Sequence, residues 1–237
     1  MVEHKLERDV RGLQDELLIL GGMAEKALLS ALEAMESCDL EALQQLVVHC
    51  RGIDRKRSVV ELGCLSLIAE RRPRNGHLRA LVAMIEIANA MAAVGDCAQR
   101  LTSSRCIVSG ASPGQHLAGV QRMATTVLDM LHRALRALAG WDATEAQTVM
   151  AARRELDAWH ARTRQELFIE LEGRRDTAGQ VTCLLRAAHS LSRSADHIIG
   201  MCEWITYAAS GTIQELPAGH AHPLPASTIF QPSSVAL

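Results

Sequence analysis

Apolar residues recur every three or four positions along most of the chain, the spacing of side chains on one face of an α-helix. In the N-terminal segment they fall at Val10, Leu13, Leu17, Leu20, Ala24, Ala27, Ala31 and Ala34. The same alternation returns in the second half at Leu117, Val120, Ala124, Val127, Leu131, Ala134 and Leu138. The pattern therefore predicts long amphipathic helices that bury one face in a helical core.

Helix-capping and helix-breaking residues divide the pattern into six predicted helices, at about 7–37, 40–71, 78–103, 117–140, 143–172 and 178–209. Asp39 and Asp142 each precede a predicted helix and are typical N-cap residues. Gly211 follows the last helix, where glycine commonly forms the C-cap. Residues 109–114, Ser-Gly-Ala-Ser-Pro-Gly, are the clearest linker and separate the first three helices from the last three.

The two halves of the chain repeat one plan. Asp39 matches Asp142 at a separation of 103 residues, and Asp96 matches Asp196 at a separation of 100. A stripe of small residues precedes each of the later aspartates: Ala88, Ala92 and Gly95, then Ala188, Ser192 and Ala195. We predict an all-α protein of two tandem three-helix bundles, at 1–108 and 116–211, joined end to end by a linker at 109–115. Residues 212–237 have no such period and predict a disordered Pro- and His-containing tail.

Composition narrows the class of protein. Hydrophobic residues make up 48% of the chain and aromatic residues only 3%, which is typical of helical bundles. The net charge of −2 offers no large basic field for nucleic acid. The seven cysteines are odd in number, so we expect reduced thiols. The charged N-terminus is unlike a signal peptide, and no apolar run approaches the ~20 residues that span a bilayer. These features predict a cytoplasmic protein without membrane insertion.

The two segments with the small-residue stripe resemble the third helix of each half of the PhoU family. Residues 87–98 read IANAMAAVGDCA and residues 187–198 read AAHSLSRSADHI, against a family pattern close to I-A-x-x-L-E-R-I-G/A-D-x-A. The closing aspartate is present in both copies, and the glutamate four residues earlier is absent from both. The resemblance implies two PhoU-like repeats and a regulator of phosphate transport and phosphate-starvation signalling. It also implies a homodimer that docks onto a phosphate ABC transporter ATPase and a sensor histidine kinase.

The same resemblance raises the question of metal, because carboxylates on the second and third helices of each repeat can hold metal clusters in the family. The candidate ligands that it implies here are Asp54, Asp96, Asp157 and Asp196. Other family positions carry Ala92, Ser192, Cys50 and Arg153 in place of acids. Because hard cations need about six oxygen ligands, we expect no stoichiometric iron, zinc or other divalent metal. Arg153 would repel a metal ion and could instead pair with Asp157 or Asp196.

No arrangement of nucleophile and base is recognisable, and Gly21-Gly22 lacks the features of a phosphate-binding loop. We therefore expect no enzyme and no cofactor. A PhoU-like adaptor that acts by protein–protein docking is the first hypothesis. The alternatives are an iron- or zinc-binding helical-bundle protein and a diverged paralogue that only dimerises.

Overall fold

The computed structural model describes residues 2–37, 40–103, 117–173 and 178–212. These residues form the α-helices α1 (Val2–Ser37), α2 (Leu40–Arg71), α3 (Asn75–Ser103), α4 (Leu117–Gly140), α5 (Ala143–Ala151), α6 (Arg153–Gly173) and α7 (Ala178–Ser210). No strand occurs within the described ranges. The prediction of an all-α protein is confirmed. The predicted linker and residues 213–237 of the predicted tail lie outside the described residues, and the proposed domain boundaries stay a prediction.

The predicted fifth helix is divided in two at Ala152. The amide of Ala152 donates to the carbonyl of Val149 at 3.1 Å, and the amide of Leu156 donates to the carbonyl of Ala152 at 3.3 Å. Because helical hydrogen bonds continue on both sides of the break, α5 and α6 together take the place of one helix of the repeat. The six-helix plan is therefore preserved.

The two bundles lie side by side. Helices α1, α2 and α3 pack together, and α4, α5, α6 and α7 do the same. The most extensive contact of all joins α3 to α7, and a further contact joins α1 to α4. One continuous hydrophobic core runs through both bundles. The expectation of bundles joined end to end is wrong, because α3 and α7 each have enough apolar surface to contact the other bundle as well as their own.

Helix α3 shows how much apolar surface is available. Its segment Asn75–Thr102 is long and apolar enough to cross a membrane by length and composition, so the expectation that no run reaches this size is wrong. Its large side chains Leu81, Met84, Ile87 and Met91 are fully buried. Since α3 packs against α1, α2 and α7, the core of the protein accounts for this hydrophobicity.

Gly21 allows α1 to approach the second bundle closely. A Cβ atom at this position would overlap Cδ2 of Leu135 on α4 and lie 3.1 Å from Cε of Met91 on α3. Close packing therefore explains the first of the two adjacent glycines in α1. A Cβ at Gly22 would meet nothing within 4 Å, so packing does not explain the second.

Two of the predicted helix caps are confirmed. The carboxylate of Asp142 accepts hydrogen bonds from the amides of Thr144 at 2.9 Å and Glu145 at 3.1 Å. Gly211 has a φ of 80°, and its amide donates to the carbonyl of Tyr207 at 2.8 Å. The third predicted cap residue, Asp39, lies outside the described residues. A side chain thus caps the start of α5, and a left-handed glycine ends α7.

The cysteines only partly follow the expectation of reduced thiols. Free thiols are present at Cys50, Cys64, Cys97 and Cys202, all of them buried. Cys183 is disulfide-bonded, so the expectation is wrong there. Counting cysteines cannot show which of them the fold brings together.

Candidate functional site

The sequence-predicted site residues gather on matching faces of the two bundles. In the first bundle the face lies between α2 and α3, and in the second between α6 and α7. Cys50 and Arg153 occupy equivalent positions, 103 residues apart, and each is followed four residues later by an aspartate. This spacing places each aspartate on the same face of its helix, one turn further on.

In the second bundle the centre of this face is a guanidinium group. Arg153 Nη2 lies 3.1 Å from Oδ1 of Asp157 and 3.0 Å from Oδ1 of Asp196. The same guanidinium donates to the carbonyl of Ser192 at 3.2 Å and to its hydroxyl at 3.3 Å. The pairing inferred from the sequence is therefore present with both aspartates. The two residues that replace family acids, Arg153 and Ser192, also contact each other.

This arrangement does not fit a metal cluster. The Arg153 side chain is 22% exposed, against 35% for Asp196 and 55% for Asp157, so the cation is the most buried of the three charges. A metal ion bridging the two aspartates would have to displace or lie against a positive group that is already hydrogen-bonded. The protein's own cation thus occupies the position between the two acids in the second bundle.

The first bundle has a thiol where the second has a guanidinium. The thiol of Cys50 donates to the carbonyl of Gly95, with Sγ 3.6 Å from the oxygen. Burial, and after it the nearby carboxylates of Asp96 and Asp54, together raise the pKa of Cys50 to about 11. Cys50 is therefore a protonated, buried thiol at neutral pH, and the two aspartates lie on the exposed rim beside it.

Across the part of the chain that the structure describes, no group of three or more His, Cys, Asp or Glu side chains is placed to hold a metal ion. The four candidate aspartates are thus brought together two by two, and neither pair has enough oxygen ligands for the cluster that the resemblance implies. The expectation that the protein carries no iron or zinc stays a prediction, which metal analysis can test.

The sequence did not predict a cavity between the two bundles. A cavity of ≈ 720 Å³ lies between α3 and α7 and is lined by basic residues, among them Arg100, Arg186, His189 and Arg193. Arg186, His189 and Arg193 are three or four residues apart, which places them on one face of α7. That spacing was visible in the sequence, but the contribution of Arg100 from the first bundle was not.

Fold and site together define a class: a tandem-repeat helical-bundle protein with a pair of aspartates at the same place in each repeat. The PhoU domain matches the chain twice, over residues 17–103 and 120–205. These two matches cover more than half of the chain. The chain therefore belongs to the PhoU family.

Individual relatives agree with this assignment. The chain is 22% identical over 210 residues to the phosphate-specific transport system accessory protein PhoU of Serratia marcescens, covering 89% of this chain and 86% of the relative. It is 27% identical over 216 residues to the PhoU homolog of a Burkholderia species, covering 88% and 90%. The crystal structure of PhoU from Pseudomonas aeruginosa has the same fold, with a TM-score of 0.83, 24% identity and coverage of 87% and 99%.

Proposed function

We propose that this chain is a regulatory accessory protein of phosphate-specific transport and that it acts by docking onto other proteins. The observation that carries the proposal is the match of both halves to the PhoU domain. Relatives of similar length are named as accessory proteins of a phosphate-specific transport system. Its partners are then components of that system: the ATPase of a phosphate ABC transporter and the sensor histidine kinase that reports phosphate starvation.

The surface of α2 supports docking by a helical face. Val59, Leu62 and Leu65 are 57%, 64% and 47% exposed. Because they follow one another at intervals of three residues, their side chains lie next to one another on one side of the helix. A group of exposed apolar side chains of this kind is typical of a protein-contact surface. We assign this patch, the α2 patch, to contact with the transporter ATPase.

The α2 patch can be tested with purified proteins. We expect the tagged chain to capture the transporter ATPase and the sensor kinase of the same organism. Leu62→Glu should weaken capture of the ATPase about tenfold or more, because a charge in a desolvated contact is costly. Ile19→Glu is the matched control, since Ile19 is an exposed apolar residue of α1, outside the α2 patch.

The result that contradicts the proposal is equally specific. Capture of neither partner by the wild-type chain would leave the docking mechanism without support. An equal loss with Leu62→Glu and Ile19→Glu would argue against the α2 patch while leaving the docking function itself intact. Circular dichroism of each variant shows whether its helices are retained.

The remaining parts of the proposal come from the family resemblance and, for metal, from the site. The protein works in the cytoplasm as a homodimer, without catalysis, bound cofactor or stoichiometric metal. The pairing of Arg153 with two aspartates supports the absence of metal and disfavours the iron- or zinc-binding alternative. Metal analysis of untagged protein tests this: two or more transition-metal ions per chain, lost on Asp96→Ala and Asp196→Ala, would contradict it. Sedimentation velocity tests the dimer, and a monomer at about 100 μM would refute it.

A further inference from the structure

The basic cavity between α3 and α7 is not used by the proposed docking function. It has a volume of ≈ 720 Å³, within the range of roughly 300–1,000 Å³ that small-molecule sites occupy. Arg100 reaches it from the C-terminal part of α3, and Arg186, His189, Ser190 and Arg193 reach it from α7. We call this cavity the α3–α7 groove. Residues of both bundles form it, so it exists only in the folded tandem arrangement.

Positive charge is concentrated in the α3–α7 groove of a chain whose net charge is −2. Three of its lining residues are arginines and a fourth is a histidine. Within the described residues, Arg186 makes no ion pair. Arg193 contacts the carboxylate of Asp196 at 3.6 Å, and that carboxylate is shared with Arg153. Among the described residues, Arg186 therefore contributes a positive charge that no ion pair offsets, and Arg193 shares its carboxylate with a second arginine.

His160 on α6 is affected by charged groups of both α6 and α7. The pKa of His160 on α6 is lowered, first by burial and then by the neighbouring Arg164, His189 and Arg153, while Asp157 acts in the opposite direction. His160 therefore responds to His189 of the groove and to the arginines of α6, after the larger effect of burial. A potential of one sign over a cleft attracts ligands of the other sign.

We propose that the α3–α7 groove binds a small molecule that carries at least two linked phosphoryl groups. Guanidinium groups bind phosphoryl oxygens through two parallel hydrogen bonds, which suits Arg186. The hydroxyl group of Ser190 in the lining is a further donor, whereas that of Thr182 already donates to the carbonyl of Ala178 at 2.7 Å. A single orthophosphate ion would fill only a small part of the cavity, whereas an extended phosphate chain can contact arginines from both helices. This inference does not depend on the docking function.

Isothermal titration calorimetry on the full chain tests the proposal, with pyrophosphate as the probe at about 50 mM salt. We expect saturable binding of pyrophosphate and at least about tenfold weaker binding of orthophosphate. Arg186→Gln should weaken pyrophosphate binding about tenfold or more, because a charge-assisted contact is lost. His189→Gln provides a second variant in the same groove and should also weaken binding.

The matched control is Arg55→Gln. Arg55 is an exposed arginine of α2, outside the groove, whose guanidinium donates to the carbonyl of Arg51. This variant has the same change of charge and should bind pyrophosphate within about twofold of wild type. No binding at ~1 mM pyrophosphate would overturn the proposal. So would equal losses with Arg186→Gln and Arg55→Gln, or orthophosphate binding as tight as that of pyrophosphate.

Discussion

Gly21 and Gly22 are neighbours in α1, and alanine at the two positions should change stability by clearly different amounts. Gly21 is buried against the second bundle, while Gly22 is exposed. The two substitutions add the same methyl group to the same turn of the same helix. Any difference between them therefore measures the close approach of α1 to α4.

The shared part of the effect comes from the helix itself. Alanine in a helix interior is favoured over glycine by about 1 kcal/mol, because glycine loses more backbone entropy on folding. A Cβ at Gly22 would meet nothing within 4 Å. We therefore expect Gly22→Ala to raise the free energy of unfolding by about 1 kcal/mol.

At Gly21 the same gain is opposed by overpacking. The new methyl group would overlap Cδ2 of Leu135 and lie 3.1 Å from Cε of Met91, so it is confined on two sides. Insertion of a methyl group into a packed core costs about 1–3 kcal/mol. Gly21→Ala should therefore be neutral or destabilising, and less stable than Gly22→Ala by about 1–3 kcal/mol.

Urea denaturation followed by circular dichroism at 222 nm measures both variants. A third measurement makes the reasoning sharper: in a Leu135→Ala background, Gly21→Ala should become stabilising, because the overlapping methyl group of Leu135 has been removed. Equal effects of Gly21→Ala and Gly22→Ala in the wild-type background would refute the close approach. A Leu135→Ala background that leaves the Gly21→Ala effect unchanged would refute the assigned contact.

Three further changes test the site, one helix end and one buried thiol. Arg153→Met should lower the free energy of unfolding by about 1–2 kcal/mol. In an Asp196→Asn background the loss should be clearly smaller, because the ion pair between Arg153 and Asp196 is already absent there. Additive effects of the two substitutions in urea would contradict this pairing. Asp142→Ala should cost about 1 kcal/mol through loss of the α5 cap, and an unchanged denaturation midpoint would refute that role. Burial raises the pKa of Cys64 to about 11, so the unfolded chain loses this thiol proton first and stability falls as the pH rises from about 9 to 11. The melting temperature of Cys64→Ala should therefore fall less steeply than that of the wild type over that pH window. An equal fall in both proteins would contradict the prediction.

Local structure and the repeat were predictable from the sequence. The three- and four-residue spacing of apolar side chains sets where each helix runs, and Asp142 and Gly211 mark two of the helix ends. Such signals act within a few residues of one another, so they can be read without knowing the fold. The pairing of Arg153 with its aspartates was predictable for a related reason. Asp157 lies one helical turn from Arg153, and Asp196, the counterpart of Asp96 in the second repeat, was expected on the neighbouring helix.

What the tertiary structure decided is how the two repeats meet. The hydrophobicity of α3 shows that it must be buried, but it does not show that α7 covers it. Contact between the bundles also explains Gly21, and it brings Arg100 to the same groove as Arg186, far along the chain. Side-chain spacing identifies the face of a single helix, whereas a contact between helices depends on the shapes of both faces at once. The basic groove therefore became visible only when α3 and α7 were packed together.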